Sequence, residues 1–244
     1  MQKLPLIILK KAIYKPTWDL QEQILAHNLA IKKENKGKEK PKPTISTLML
    51  CEHNPVYTLG KSGKLVNLLL TKEQLKAKKI DYWHINRGGD ITYHGPGQIT
   101  GYPIFDLEIF RPSASWFIET MEDAIIDCLL EFGIKAQRID GLTGVWIKGA
   151  SEAEDRKICA IGVKMSRWVS IHGFALNVDT NLNYYNHIVP CGIDDKGVTS
   201  ISKELGKKVS IDDVIPVLYK CFEQRFKIQF NNITLDGLNQ LLGG

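Results

Sequence analysis

The stretch 157–178 limits the possible folds more than any other part of the chain. Two runs rich in β-branched and aromatic residues, 157–165 and 168–178, are separated by only Ser166 and Arg167, so they are expected to pair as an antiparallel hairpin. Alternation along them predicts that Ile158, Ala160, Phe174 and Leu176 are buried on one face, which then needs a covering layer. Helical spacing supplies candidates for that layer. The clearest is 115–132, with Phe117, Met121, Ile125, Leu129 and Phe132 on one side, followed by 18–31, 71–79 and 211–226. Further strands are expected over 6–14, 47–51, 82–86, 98–107 and 145–148.

With 244 residues, 43% of them hydrophobic and 24% charged, the chain is long enough to bury a core without disulfides or a structural metal. Five cysteines without paired metal-type spacing read as reduced thiols, with Cys51, Cys128, Cys159 and Cys221 as buried core residues. No secretory signal or membrane span is read from the sequence, and a soluble, cytoplasmic protein with no membrane role is expected. The net charge of +5 is concentrated in 32–42, where six lysines meet two glutamates, and the 32–43 stretch reads as an exposed lysine-rich loop. No arginine-rich face or aromatic RNA-binding signature accompanies it, so no nucleic-acid partner is expected; its sharper reading is a weak attraction for an acidic protein.

Three segments carry chemistry-bearing residues that ordinary strands do not need. In the first, Arg87, Gly88, Gly89, Asp90, Ile91, Thr92, Tyr93 and His94 lead into Gly95-Pro96-Gly97-Gln98. Its paired glycines allow close approach of a ligand to the backbone, and their N–H groups can face a carbonyl or carboxylate. A tight hairpin would explain the glycines alone but not the whole run. In the second, the strands carry Ala160, Ile161 and Gly162 and then Gly173, Phe174 and Ala175, and the small residues among them leave room suited to a long, thin apolar ligand. Lys157 begins this segment, at a place where an exposed edge lysine is the ordinary reading. In the third, Cys191 stands between Pro190 and Gly192, open to substrate and followed by N–H groups able to stabilise an oxyanion. No zinc spacing, P-loop or dinucleotide fingerprint is present, so no metal or cofactor is expected.

Taken together, Glu52-His53-x-Pro-Val-Tyr-Thr-Leu-Gly60, Arg87-Gly-Gly-x-x-Thr-Tyr-His94-x-Pro-Gly-Gln98, Lys157-x-x-Ala-Ile-Gly162, His172-Gly-Phe-Ala-Leu-Asn177 and Pro190-Cys-Gly192 resemble the lipoyl(octanoyl) transferases. Asn54 departs from a more usual proline, and the lysine-rich stretch looks like an insertion. The resemblance implies an α/β fold of the biotin and lipoate ligase type, a mixed sheet flanked by helices. It implies a catalytic domain over 1–200 and a small C-terminal subdomain over 201–244. The implied donor is octanoyl-acyl carrier protein. The implied acceptors are lipoyl domains of 2-oxo acid dehydrogenases and the glycine cleavage H protein.

The family's catalytic pair falls on Cys191 and Lys157, with 87–94, 160–162 and 173–175 lining the acyl pocket. A neighbouring ammonium lowers a thiol's pKa by stabilising the thiolate, so this pairing is chemically coherent. Two other readings compete. An ATP-dependent lipoate ligase would activate a free acid and would not need Cys191, and a non-catalytic acyl-binding module would hold the chain without forming an intermediate on it.

Overall fold

The computed structural model describes residues 1–189 and 196–243. In chain order its elements are β1 (Gln2–Ala12), α1 (Tyr14–Glu34), β2 (Thr47–His53), β3 (Val56–Leu59), α2 (Lys72–Ala77), β4 (Asp81–His84), β5 (Ile91–His94), β6 (Gln98–Ile104) and α3 (Ala114–Glu131). They continue with β7 (Gln137–Ile139), β8 (Leu142–Ile147), β9 (Arg156–Ser166), β10 (Val169–Asn177), β11 (Gly197–Val198), α4 (Ile201–Leu205), α5 (Ile211–Phe226), β12 (Ile228–Asn232) and α6 (Leu235–Leu241). A mixed sheet runs β12-β1-β2-β6-β10-β9-β8-β7, with β11 joined to β9. Pairing is parallel at β12/β1, β1/β2 and β11/β9, and antiparallel elsewhere in this sheet. A smaller sheet runs β4-β3-β5.

The β9–β10 hairpin closes through Arg167 and Trp168, at φ 47° and 66°, the two left-handed residues that a tight hairpin turn matching the strand twist requires. One face of the large sheet packs on α3 and α5 through Phe117, Met121, Leu129, Phe174, Leu218 and Phe222. The other packs on α1 and α6 through Ile7, Ile24, Met49, Ile171 and Leu238. Cys51, Cys128, Cys159 and Cys221 are buried thiols within these layers. Residues 201–244, expected as a small subdomain, place α5 against α3 in this same core, and β12 extends the sheet beside β1.

Three sequence expectations change. Tyr14 opens α1 instead of closing β1. The alternation expected along β9 is broken by a register shift: Val145 pairs with Cys159 but Trp146 pairs with Lys157, which leaves Ile158 as an extra residue. Ile158 and Cys159 are therefore both buried, and Ala160 is released from the core expected for it. Finally, α1 continues to Glu34, so Lys32 is not part of an exposed loop. Its ammonium lies 2.6 Å from the buried Asp106 carboxylate and 2.9 Å from Glu108, while Thr44 donates to Asp106 at 2.9 Å.

Removing one partner of a buried ion pair strands the other charge. Lys32→Ala is therefore expected to cost about 3 kcal/mol in urea unfolding, whereas Lys36→Ala, at an exposed position, should stay within about 0.5 kcal/mol of the parent. Equal effects of the two would show that Lys32 does not anchor the helix end.

Candidate active site

β8 pairs with β9 only over the first part of β9, up to Cys159. Beyond it the glycine-rich 87–89 segment takes the place of a strand, and the Gly88 N–H donates to the Val163 carbonyl at 3.0 Å. A cavity of about 530 Å³ opens in this gap, within the range of small-ligand sites. Arg87, Gly88, Gly89, Asp90, Ile91, Thr92, His94, Ala160, Ile161, Gly162, Gly173, Phe174, Ala175 and Lys157 all line it.

Tyr93 does not. It is fully buried in the core of the small sheet and stacks on Tyr184 with ring centroids 4.5 Å apart. The expected Cys191, with Pro190 and Gly192, lies outside the described residues. The flanks of that segment are described: the Val189 N–H donates to the Asn67 carbonyl at 2.9 Å, and Lys196, Gly197 and Val198 line the cavity.

The glycines serve a tighter purpose than leaving space for a ligand. A Cβ at Gly162 would fall 2.8 Å from the Gly88 carbonyl oxygen, so glycine there lets the 87–89 segment lie on β9. A Cβ at Gly173 would fall 2.2 Å from the Gly101 carbonyl oxygen and 2.6 Å from Pro103. Gly173 thus permits close approach of β6 to β10, and the reading of it as open ligand room is corrected. Arg87 fastens the floor of the small sheet: its Nη2 donates to the Thr58 carbonyl at 2.7 Å and its Nη1 to the Gly88 carbonyl at 2.9 Å.

Lys157 sits between two strands. Trp146 is its partner on β8 and Val198 its partner on β11, and the Thr199 N–H donates to the Lys157 carbonyl at 3.0 Å. The register shift at Ile158 brings the Lys157 ammonium over the buried Trp146 ring, 4.6 Å from its centroid, where the ring's negative face favours the cation. The Trp146 indole is held by donation to the Leu142 carbonyl at 3.1 Å. Nearby, the Glu122 carboxylate accepts the Gly144 N–H at 2.8 Å; burial raises its pKa despite that bond.

Two buried imidazoles, His94 and His172, line the cavity, and a third, His53, lies behind them with its ring centroid 6.1 Å from that of His94. His94 Nδ1–H donates to the Gln98 carbonyl oxygen at 2.9 Å, an orientation fixed because the Gln98 amide group donates to the Tyr93 carbonyl at 3.1 Å. His53 Nδ1–H donates to the Ala12 carbonyl at 2.9 Å and its Nε2 accepts from the Tyr102 hydroxyl at 2.7 Å. His172 Nε2–H donates to Asn86 at 2.9 Å, leaving Nδ1 as a buried acceptor without a partner among the described residues.

Burial pushes His53 down to about 4; burial, helped by neighbouring positive charge, pushes His94 and His172 down to about 3. His172 also has φ 60°, a left-handed conformation costing on the order of 1–3 kcal/mol in a non-glycine residue. Donation of its N–H to Gln21 at 2.9 Å and its bond to Asn86 hold it there.

Several lining residues carried no sequence signal. Trp146 read as an ordinary strand residue, and Tyr14, Tyr102 and Tyr185 as ordinary aromatics. Asn177 ended a recognised block and could have been found from it: it accepts from Gln98 at 3.0 Å and donates to the Thr199 carbonyl at 3.0 Å.

The buried histidines set a pH dependence. Each has a folded pKa well below the unfolded value of about 6.5, so each takes up a proton on unfolding once the pH falls below that value. Stability should be highest above about pH 6.5 and fall toward pH 5, by up to about 1.4 kcal/mol per pH unit for each histidine. Urea unfolding at pH 7.5, 6 and 5 checks this, and His53→Gln should flatten the slope by one proton's worth. A flat profile in the parent protein would contradict the buried neutral imidazoles.

The model of lipoyl protein ligase A/B catalytic domains matches residues 14–223. The octanoyltransferase of Cytophaga hutchinsonii is 49% identical over 225 residues, covering 91% of this chain and 91% of that protein. That of Flavobacterium psychrophilum is 50% identical over 214 residues, covering 87% and 92%. Among solved structures, that of an archaeal lipoylation system, a bi-partite lipoate protein ligase and its E2 lipoyl domain from Thermoplasma acidophilum, superposes with a TM-score of 0.70. That likeness covers 99% of this chain and 91% of the other at 18% identity, and shows a shared fold.

Proposed function

The chain belongs to the lipoyl protein ligase A/B catalytic domain family, on its lipoyl(octanoyl) transferase side, and from that premise we propose that it moves octanoyl from octanoyl-acyl carrier protein to a lysine of lipoyl domains through a thioester on Cys191. The observation that carries this reading is Lys157. Its ammonium lies over Trp146 on the cavity wall, beside the strand that follows the 190–195 segment.

In the first half-reaction the Cys191 thiolate attacks the donor thioester carbonyl and the carrier thiolate leaves, taking its proton from the Lys157 ammonium, which becomes the neutral amine. An unperturbed thiol is only a few per cent ionised at neutral pH, and the charge of Lys157 raises that fraction. In the second, a neutral lysine amine of the lipoyl domain attacks the Cys191 thioester. The C–S bond breaks, an amide forms, and the amine's proton is lost to Lys157 or solvent. Thioester exchange is nearly isoenergetic and amide formation is downhill, so no nucleotide is consumed. The acyl chain is received beside Ala160, where it faces Ala175, clear of the Gly162 position on which the 87–89 segment lies. The acceptors are lipoyl domains of 2-oxo acid dehydrogenases and the glycine cleavage H protein.

Intact mass spectrometry after mixing with octanoyl-acyl carrier protein, without ATP or magnesium, should show one octanoyl adduct. It should vanish in Cys191→Ala and persist when Cys159, a buried thiol whose pKa burial raises, is replaced. Lys157→Ala should slow acylation about 10²-fold at neutral pH, with partial recovery at higher pH. Lys157→Arg should acylate better than Lys157→Ala yet remain poor in transfer, because arginine keeps the charge but does not exchange its proton. Product formation only from free lipoate plus ATP would replace this reading with a ligase. Acyl binding with no adduct would replace it with a binding module.

A further inference from the structure

The structure moves the site of attraction for an acidic partner away from the lysine-rich 32–42 stretch. There Lys32 is spent on Asp106 and Glu108, and Lys42 pairs with Glu34 at 2.9 Å. The stretch also lies at the far end of α1 from Tyr14, which lines the cavity, and a 21-residue helix spans roughly 30 Å.

A second basic surface stands at the cavity. Over 61–79 the chain holds six lysines, Lys61, Lys64, Lys72, Lys76, Lys78 and Lys79, against a single glutamate. All six are exposed, and none forms a salt bridge with a described residue. Among them Leu65, Val66 and Leu69 are 63%, 74% and 56% exposed, three large apolar side chains in five residues with no core to join.

This surface is bonded to the cavity rim. The Lys61 N–H donates to the Arg87 carbonyl at 2.9 Å, the Ser62 N–H donates to the Gly89 carbonyl at 3.2 Å, and the Asn67 amide donates to Asp90. On its other side the Leu69 N–H donates to the His187 carbonyl at 2.9 Å, and Leu68 bridges Ile188.

We infer that the exposed Lys61–Lys79 surface, with Leu65, Val66 and Leu69 at its centre, docks the acidic face of the acyl-carrying protein donor. The inference rests on the function proposed above. Charge complementarity sets the class of partner, an acidic protein surface offering apolar contacts. Placement selects the donor over the acceptor, because from its rim-bonded 61–69 part the surface runs away from the cavity onto α2. α2, which bears Lys72 and Lys76, packs on β4, two strands and roughly 10 Å from the cavity-lining β5. A carrier presents its thioester on a long flexible arm and can dock set back from the cavity. A lipoyl domain must bring its own lysine to the mouth.

The test uses the full-length protein, a Lys72→Glu/Lys76→Glu/Lys79→Glu variant and a comparison variant, Lys33→Glu/Lys36→Glu/Lys38→Glu. Binding of octanoyl-acyl carrier protein is measured by fluorescence anisotropy against salt concentration. Acylation is followed by mass with that donor and with octanoyl-pantetheine, which carries no protein. The first variant should lose about tenfold or more in carrier affinity and in carrier-dependent acylation, and most of the salt dependence. Its acylation by octanoyl-pantetheine should hold, and the comparison variant should match the parent in every measurement.

Equal loss in the comparison variant would reduce the effect to net charge, and loss confined to transfer onto a lipoyl domain would assign the surface to the acceptor; either overturns the inference, as does absence of carrier binding by the parent. Salt-sensitive carrier binding that the first variant loses, in a parent that neither donor acylates, would leave the docking surface standing and remove the proposed reaction.

Discussion

Gly173 allows β6 and β10 to approach more closely than a side chain there would permit, since its Cβ would meet the Gly101 carbonyl oxygen at 2.2 Å, and the bare Gly101 gives the Phe174 ring a seat that a Cβ, 2.1 Å from that ring, would close. With Phe174 lying over Gly101, its ring reaches Phe222 of α5 at a centroid separation of 5.4 Å, which ties the middle of the sheet to its helical layer. The opposite face keeps a strip of small residues where Ala160 meets Ala175 and Gly162 meets Gly173. The 87–89 segment lies on that strip because Gly162 offers no side chain to hold it away. The cavity is thus a consequence of backbone packing, and its floor leaves little latitude for substitution.

Charge is partitioned around this floor. Arg87 is committed to the Thr58 and Gly88 carbonyls, and its positive charge contributes to keeping His94 and His172 neutral. At Lys157 the surroundings favour the cation, because the face of Trp146 lies beneath it. Two neutral imidazoles on the wall and a separately placed ammonium are what the proposed reaction asks for, an uncharged lining for an acyl chain and a cation beside a thiolate.

Much of this was legible in the sequence where local rules acted without competition. The β9–β10 hairpin followed from its two apolar runs, with its turn one residue later than expected, at Arg167 and Trp168, and α5 runs over 211–226 as its spacing required. What the sequence hid depended on partners distant in the chain. One extra residue at Ile158 changed which side chains of β9 face the core, and nothing local announced it. Tyr93 was grouped with its lining neighbours, yet its partner Tyr184 lies some ninety residues on. The 32–42 lysines drew attention because they are contiguous. The 61–79 lysines are interleaved with leucines, and only burial and pairing distinguished the two groups.

Gly173 is required by strand contact, whereas Ala160 borders the cavity proposed to take the acyl chain, and one paired measurement separates the two roles. Thermal unfolding and the preference among hexanoyl, octanoyl and decanoyl donors are recorded for Gly173→Val and Ala160→Val. We expect Gly173→Val to lose about 3 kcal/mol or more of stability or to fail to fold, and Ala160→Val to remain folded with its preference shifted toward the shorter donor. A stable Gly173→Val with altered chain preference, beside an Ala160→Val indistinguishable from the parent, would contradict this assignment.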